Sequence, residues 1–95
     1  MPVRAAFTYT RHAYDRMSER GIGREDIEAI VKGGEVIEEY ADDTPFPSKL
    51  FFGQFAGRAL HVAAAWDHNR EEWVVITAYE PDLVKWGPGF RKRRR

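Results

Sequence analysis

Three nitrogen-bearing side chains recur four residues apart near the start of the chain: His12, Arg16 and Arg20. That spacing puts them on one side of a helix. The row reads either as a solvated face or as one wall of a site for an anionic substrate. A second group lies far along the chain. His61 alternates with Leu60 and Val62, and Thr77 and Tyr79 alternate with Ile76 and Ala78. Side chains alternate across a strand, so His61, Thr77 and Tyr79 fall on a face of small residues that leaves room for a ligand. If the loop 67–71 pairs Trp66 with Glu72, His61 stands opposite Thr77, and Tyr79 lies one diagonal step away.

The elements that must position these residues follow from the pattern. Thr10 suits an N-cap and Gly21 a helix stop, which predicts a helix over 11–20. Gly21-Ile22-Gly23 is a tight joint. Ile27, Ile30 and Val31 then recur at three and four, predicting a second helix over 24–32 that Gly33-Gly34 ends. Four strands follow, over 35–40, 49–55, 58–66 and 72–80, with a turn at 42–47 and a hairpin signal at Ala56-Gly57. Pro81 stops the ladder because it has no N–H to donate.

Short connections between consecutive strands favour an antiparallel meander. The expected fold is therefore α+β, with two N-terminal helices packed on one face of a four-stranded antiparallel meander sheet. Leu60, Val62, Ala64, Val74, Ile76 and Ala78 form the apolar face that meets the helices. Ala59, His61, Ala63, Trp73, Val75, Thr77 and Tyr79 form the other.

With 95 residues, 43% of them apolar, the chain is sized for one domain, expected over 1–90 with a basic tail over 91–95. It has no cysteine, hence no disulfide framework and no thiolate metal site. The start, MPVRAAFTYT, lacks the apolar core of a signal peptide, and no uncharged run approaches a membrane span. A soluble cytoplasmic protein is expected.

The formal net charge is zero, but the last five residues are all basic, leaving ten basic and fifteen acidic residues in the rest. Arg91, Lys92, Arg93 and Arg94 can reach nucleic-acid phosphates, gaining free energy by counterion release, or can serve as a solubilising terminus. His12, His61 and His68 lie on three different elements without metal-ligand spacing, so no metal and no other cofactor is expected. Neither a Ser or Cys nucleophile motif nor a Gly-rich phosphate loop is present.

The runs HAYDRMSERGI, ALHVAAAWD and VVITAYEPD, followed by Trp86 before the basic end, carry a resemblance. Their motifs, H-A-x-x-R-M-x-E-R-G-I and I-T-A-Y-x-P, resemble the small bacterial domain-of-unknown-function family four-two-five-eight over about residues 8–94. That family is similar to RelE-like and BrnT-like toxin ribonucleases, whose members are metal-independent and pair with a small antitoxin. The resemblance implies a RelE-like toxin fold, and the family's recurrent polar residues fall on His12, Arg16, His61, Thr77 and Tyr79. Gly23 departs from it, standing where the family usually offers a Ser cap.

Cleaving RNA without a metal needs a base for the 2′-OH, a cation for the phosphorane and an acid for the leaving 5′-oxygen. His suits either proton role, and the planar fork of Arg suits phosphate. The implied assignment makes His61 general base or acid, His12 its complement and Arg16 the phosphate binder. Thr77 and Tyr79 orient the RNA, and Arg20 assists one turn further on. The competing expectation is a non-catalytic module that binds a protein or RNA through the same face. The acidic strand 35–40 favours a protein partner such as a basic antitoxin segment.

Overall fold

The structure, a computed structural model, describes residues 6–94. Its elements are β1 (Ala6–Tyr9), α1 (Arg11–Arg20), α2 (Arg24–Gly33), β2 (Glu35–Tyr40), β3 (Ser48–Phe55), β4 (Arg58–Asp67) and β5 (Glu72–Tyr79). Both helices and the β2–β5 meander match the sequence reading to within a residue. The sheet does not. It has five strands in the order β1-β5-β4-β3-β2, and β1 runs parallel to β5. The four-stranded, wholly antiparallel expectation is thus corrected to a five-stranded mixed sheet. β1 escapes a sequence reading because it is only four residues long. It becomes a strand because β5 supplies a ladder and because Phe7 and Tyr9 pack against the core.

Thr10 ties the first helix to the sheet. Its hydroxyl accepts the Ala13 N–H at 3.0 Å, capping α1, and donates to the Ile76 carbonyl at 3.0 Å. Its own N–H donates to the Val75 carbonyl at 3.0 Å. Gly21 ends α1 in the left-handed region, at φ 63°, which a side chain would disfavour. The second helix starts at Gly23 without a side-chain cap, and Glu25 and Asp26 in its first turn favourably meet the positive end of the helix dipole instead. Ile27, Ile30 and Val31 of α2 and Ala13 and Met17 of α1 meet Phe51, Leu60, Val62, Ala64, Val75 and Ala78 of the sheet. α2 sits close because Gly53 lacks a side chain: a Cβ there would come 2.7 Å from Ile30 Cγ1.

The expected register, with Trp66 opposite Glu72, is off by one residue from the loop onward and by two beyond a bulge. β4 and β5 pair Asp67 with Glu72, then slip between Ala63 and Ala64, so Ala63 faces Thr77 and His61 faces Tyr79. Ile76 is the extra residue of a bulge, at the carbonyl that Thr10 holds. The bulge also switches faces. Val75 joins the helix-side core with Trp73 packed against it, and beyond the bulge Ala78 takes that side. The assignment of Trp73 and Val75 to the face of His61, and of Val74 and Ile76 to the core, is corrected accordingly. Thr77 and Tyr79 keep the face expected of them.

That second face is not open. After β5 the chain turns back over it as a strap, residues 82–94. Asp82 Oδ1 accepts the Val84 and Lys85 N–H groups, each at 2.9 Å, and Trp86 pairs with Arg93 in an antiparallel bridge. Trp86 is 2% exposed. Of the expected basic tail over 91–95, the described part bonds to the rest of the chain through Arg91, Arg93 and Arg94, while Lys92 is exposed. Burial of Trp86 favours this arrangement, and Arg91 and Arg93 pair with Glu35 and Glu38 of the acidic strand β2.

Candidate functional site

Where α1, the end of β5 and the strap meet, a cleft of about 370 Å³ opens. α1 contributes His12, Arg16 and Arg20, β5 contributes Thr77 and Tyr79, and the strap contributes Lys85, Trp86 and Arg93. The helix row and the strand pair therefore share one cavity. The Thr10 tether explains why, since it fixes the start of α1 beside the bulge one residue before Thr77.

The charges of the cleft are unequal. Its carboxylates, Glu80 and Asp82, are both engaged: Glu80 pairs with Arg58 at 2.5 Å and Asp82 caps the strap turn. Arg58 also donates to the carbonyls of Gly21 at 3.1 Å and Arg20 at 2.9 Å, which anchors the end of α1. Among the cations, Arg16 is held by Glu19 at 2.8 Å on a partly solvated face, and Arg93 is held by Glu38 at 3.0 Å. Arg20 and Lys85 have no side-chain partner among the described residues and are exposed, as is His12. The cleft thus offers an anion two uncommitted cations, one imidazole and the half-buried Thr77 hydroxyl.

His61 is not in it. Its side chain is fully buried, and it lies behind Tyr79 under the strap. The Trp86 ring lies edge-on to it at 4.4 Å, the Tyr79 ring at 5.2 Å and the Phe52 ring at 5.8 Å. His61 Nε2 donates to the Phe90 carbonyl at 2.8 Å, and Nδ1 lies 3.2 Å from the Tyr79 hydroxyl. Burial pulls the imidazole below its usual value, against the opposing effects of the Phe90 carbonyl and Glu38. A ring with both nitrogens engaged and no exposed surface makes no direct contact with a ligand in the cleft. The sequence reading makes His61 general base or acid; the structure places it outside the cleft lining, hydrogen-bonded to the Tyr79 that lines it.

Residues 9–80 match the family model described as "Domain of unknown function (DUF4258)". The chain belongs to the DUF4258 family. No curated protein and no solved structure matches it significantly. The DUF4258 match contains His12, Arg16, Arg20, His61, Thr77 and Tyr79, and ends before Lys85, Trp86 and the rest of the strap.

The basic residues of the strap divide. Arg91 lies over the Phe52 ring at 4.7 Å and pairs with Glu35 at 2.9 Å. Arg93 lies over Trp86 at 4.6 Å, pairs with Glu38 and donates to Tyr40 Oη at 3.4 Å. Burial pushes the Glu38 carboxyl up, but Tyr40 and Arg93 outweigh it and hold it below its usual value. Arg94 donates to the Leu83 carbonyl at 2.6 Å and Lys92 is exposed; Arg95 lies outside the described residues. Of the four tail cations expected to bind nucleic acid, Arg93 alone lines the cleft. Arg91 donates to the Glu35 carboxylate of β2 and the Gly89 carbonyl, and Arg94 to the Leu83 and Trp86 carbonyls.

Sequence reasoning missed Lys85, Arg58 and the role of Trp86. Trp86 had a signal: an aromatic residue five after Pro81, among glycines, has to be covered or to cover something. Lys85 and Arg58 had none, since each acts only through folding. Among the described residues, no group of three or more metal-ligating side chains forms, and no helix is long and apolar enough to cross a membrane.

Proposed function

We propose that the cleft binds an RNA phosphodiester and cleaves it without a metal, as the toxin-like half of a toxin–antitoxin pair. One observation carries the reading: His12, Arg16, Arg20, Thr77 and Tyr79, chosen from two distant parts of the sequence, line the same cavity. The likeness to RelE-like and BrnT-like toxin ribonucleases implied by the family resemblance is part of this proposal, and the cleft is what supports it.

In this reading Arg20 and Lys85 meet the phosphate first. Arg16 turns from Glu19 to the phosphorane, an exchange that gives up a partly exposed pair of about 1 kcal/mol or less. Their fixed charges stabilise the negative charge that develops as the 2′-oxygen attacks. His12 protonates the leaving 5′-oxygen. Thr77 holds a non-bridging oxygen or the ribose. The products are a 2′,3′-cyclic phosphate and a 5′-hydroxyl. An antitoxin would act by covering the cleft; because Glu35 and Glu38 already pair with the strap, a partner with acidic side chains for Arg20 and Lys85 replaces the basic segment expected from the sequence.

The test is incubation of the purified protein with RNA in the presence of a chelator, alongside induced expression in a bacterial host. Cut RNA with cyclic-phosphate ends, growth arrest, and loss of both in Arg16→Ala and His12→Ala support the reading. Intact RNA and normal growth overturn it. RNA or protein capture at the cleft without cleavage would then assign a binding module.

A further inference from the structure

The cleft contains a candidate acid in His12, while its carboxylates, Glu80 and Asp82, are engaged by Arg58 and by the strap turn. The wall behind Tyr79 supplies a candidate base. The Phe90 carbonyl can only accept a hydrogen bond, so at 2.8 Å it fixes the proton of His61 on Nε2. Nδ1 of the neutral ring is then an acceptor, and the Tyr79 hydroxyl at 3.2 Å must donate to it. Tyr79 consequently turns its proton inward and its oxygen lone pairs toward the cleft it lines. Its register partner across the sheet is His61 itself, so the strand ladder holds the two rings in place.

From this orientation, and resting on the reading of the cleft as an RNA-cleaving site, we propose that Tyr79 relays the ribose 2′-hydroxyl proton to the buried His61. The 2′-O–H bond breaks and its proton passes to Tyr79 Oη. The Oη–H bond breaks in the same step, and that proton passes to His61 Nδ1. The electron pair left on the 2′-oxygen forms the bond to phosphorus. The P–O5′ bond breaks, and the 5′-oxygen leaves with its pair and takes a proton from the His12 imidazolium. The imidazolium formed at His61 returns its proton outward through Tyr79, and His12 is reprotonated from water. His61 is therefore a positioning and proton-accepting residue that acts through Tyr79.

The surroundings suit the relay. Burial raises Tyr79 above its usual value, so the phenol keeps its proton until it is exchanged. Glu38, from β2, faces His61 and favours the imidazolium, while Arg93, from the strap, opposes it; Tyr40 and Asp82 also face Tyr79. From α1, His12, Arg16 and Arg20 share the cleft with the phenol. The arrangement also selects substrate. A hydroxyl that presents only lone pairs rewards a donor, as ribose has at the 2′ position and deoxyribose lacks.

The experiment has two arms. Heteronuclear NMR of the free protein reads the tautomer of His61 whether or not RNA is cut. A neutral ring protonated on Nε2 at pH 7 is expected, and a proton on Nδ1 overturns the relay. The second arm is single-turnover RNA cleavage across pH by the wild type, Tyr79→Phe and His61→Gln, with folding followed by circular dichroism.

Each variant should lose about 10²–10⁴-fold in kcat with KM nearly unchanged, as loss of a proton acceptor does. The double variant should lose no more than either single one. The acid limb of the wild-type profile, which falls below the ordinary imidazole range, should vanish in both. Should His61→Gln fail to fold, Tyr79→Phe carries the same expectation. If wild-type protein cleaves RNA and folded variants match it, the relay fails and the nuclease reading stands. If wild-type protein leaves RNA intact, both fail.

Discussion

On one side of the sheet, Leu60, Val62 and Val75 meet two helices across aliphatic side chains, and all three are fully buried. On the other, His61 and Tyr79 lie under a thirteen-residue strap held by one tryptophan, a backbone bridge and exposed ion pairs. Both faces are covered, but by different means. The helix side rests on burial of apolar area, which is insensitive to salt and pH. The strap side mixes burial with hydrogen bonds, one titratable ring and solvent-screened charge. The cleft lies where the two meet, with α1 as its wall from the packed side and the adjustable strap as its wall from the other.

The comparison breaks most readily at the helix side. Leu60→Ala should cost about 2–5 kcal/mol, because it empties a fully buried site between sheet and helices. Urea denaturation should show one cooperative transition at lower midpoint with an unchanged slope. A loss below 1 kcal/mol would mean that the helix side is not the main core.

Trp86→Ala should cost less, about 0.5–3 kcal/mol, because the strap can detach while the sheet stays packed. Hydrogen exchange distinguishes the two cases. The N–H groups of Gly87, which donates to the Lys92 carbonyl at 2.8 Å, and Arg94, which donates to Lys85 at 2.8 Å, should exchange faster. Those of β4 should not. Uniform acceleration would show that the strap belongs to the same cooperative unit as the helices.

The two sides also differed in how far they could be read from sequence. The helix side was legible because Ile27, Ile30 and Val31 repeat at helical spacing and Leu60, Val62 and Ala64 at strand spacing, so local pattern and final burial agree. The His12-Arg16-Arg20 row was legible for the same reason. Three things were not. β1 is too short to show a period. The bulge at Ile76 is set by Thr10, sixty-six residues away, and a one-residue insertion reverses every face assignment before it. The strap has no period at all, so its cover of His61 depends on where Trp86 lands. The sequence could place His61 on the second face, but it could not say that the face was closed.

Acidification should sharpen the contrast. Burial pulls the His61 pKa down in the folded state, so the unfolded chain binds the proton more readily than the folded one. Stability from this group is complete above the unfolded value, near 6.5, and is lost as pH falls below it. Between pH 7 and 5, urea midpoints should drop for the wild type and drop less for His61→Gln. Equal slopes in the two proteins would assign the pH dependence elsewhere.

The smallest effect belongs to the ion pairs along β2. Arg91 and Glu35 approach at 2.9 Å, yet their side chains are 50% and 51% exposed, so water and salt screen most of the attraction. Glu35→Gln should cost about 1 kcal/mol or less, and the difference should shrink further in 1 M salt. Arg91→Ala should cost somewhat more than Glu35→Gln at every salt concentration, because Arg91 also covers the Phe52 ring and loses that packing. Only the excess over Glu35→Gln should survive high salt. If the two substitutions cost the same and both vanish in salt, the strap is held there by charge alone. In that case the guanidinium over Phe52 adds nothing to closing the face that hides His61.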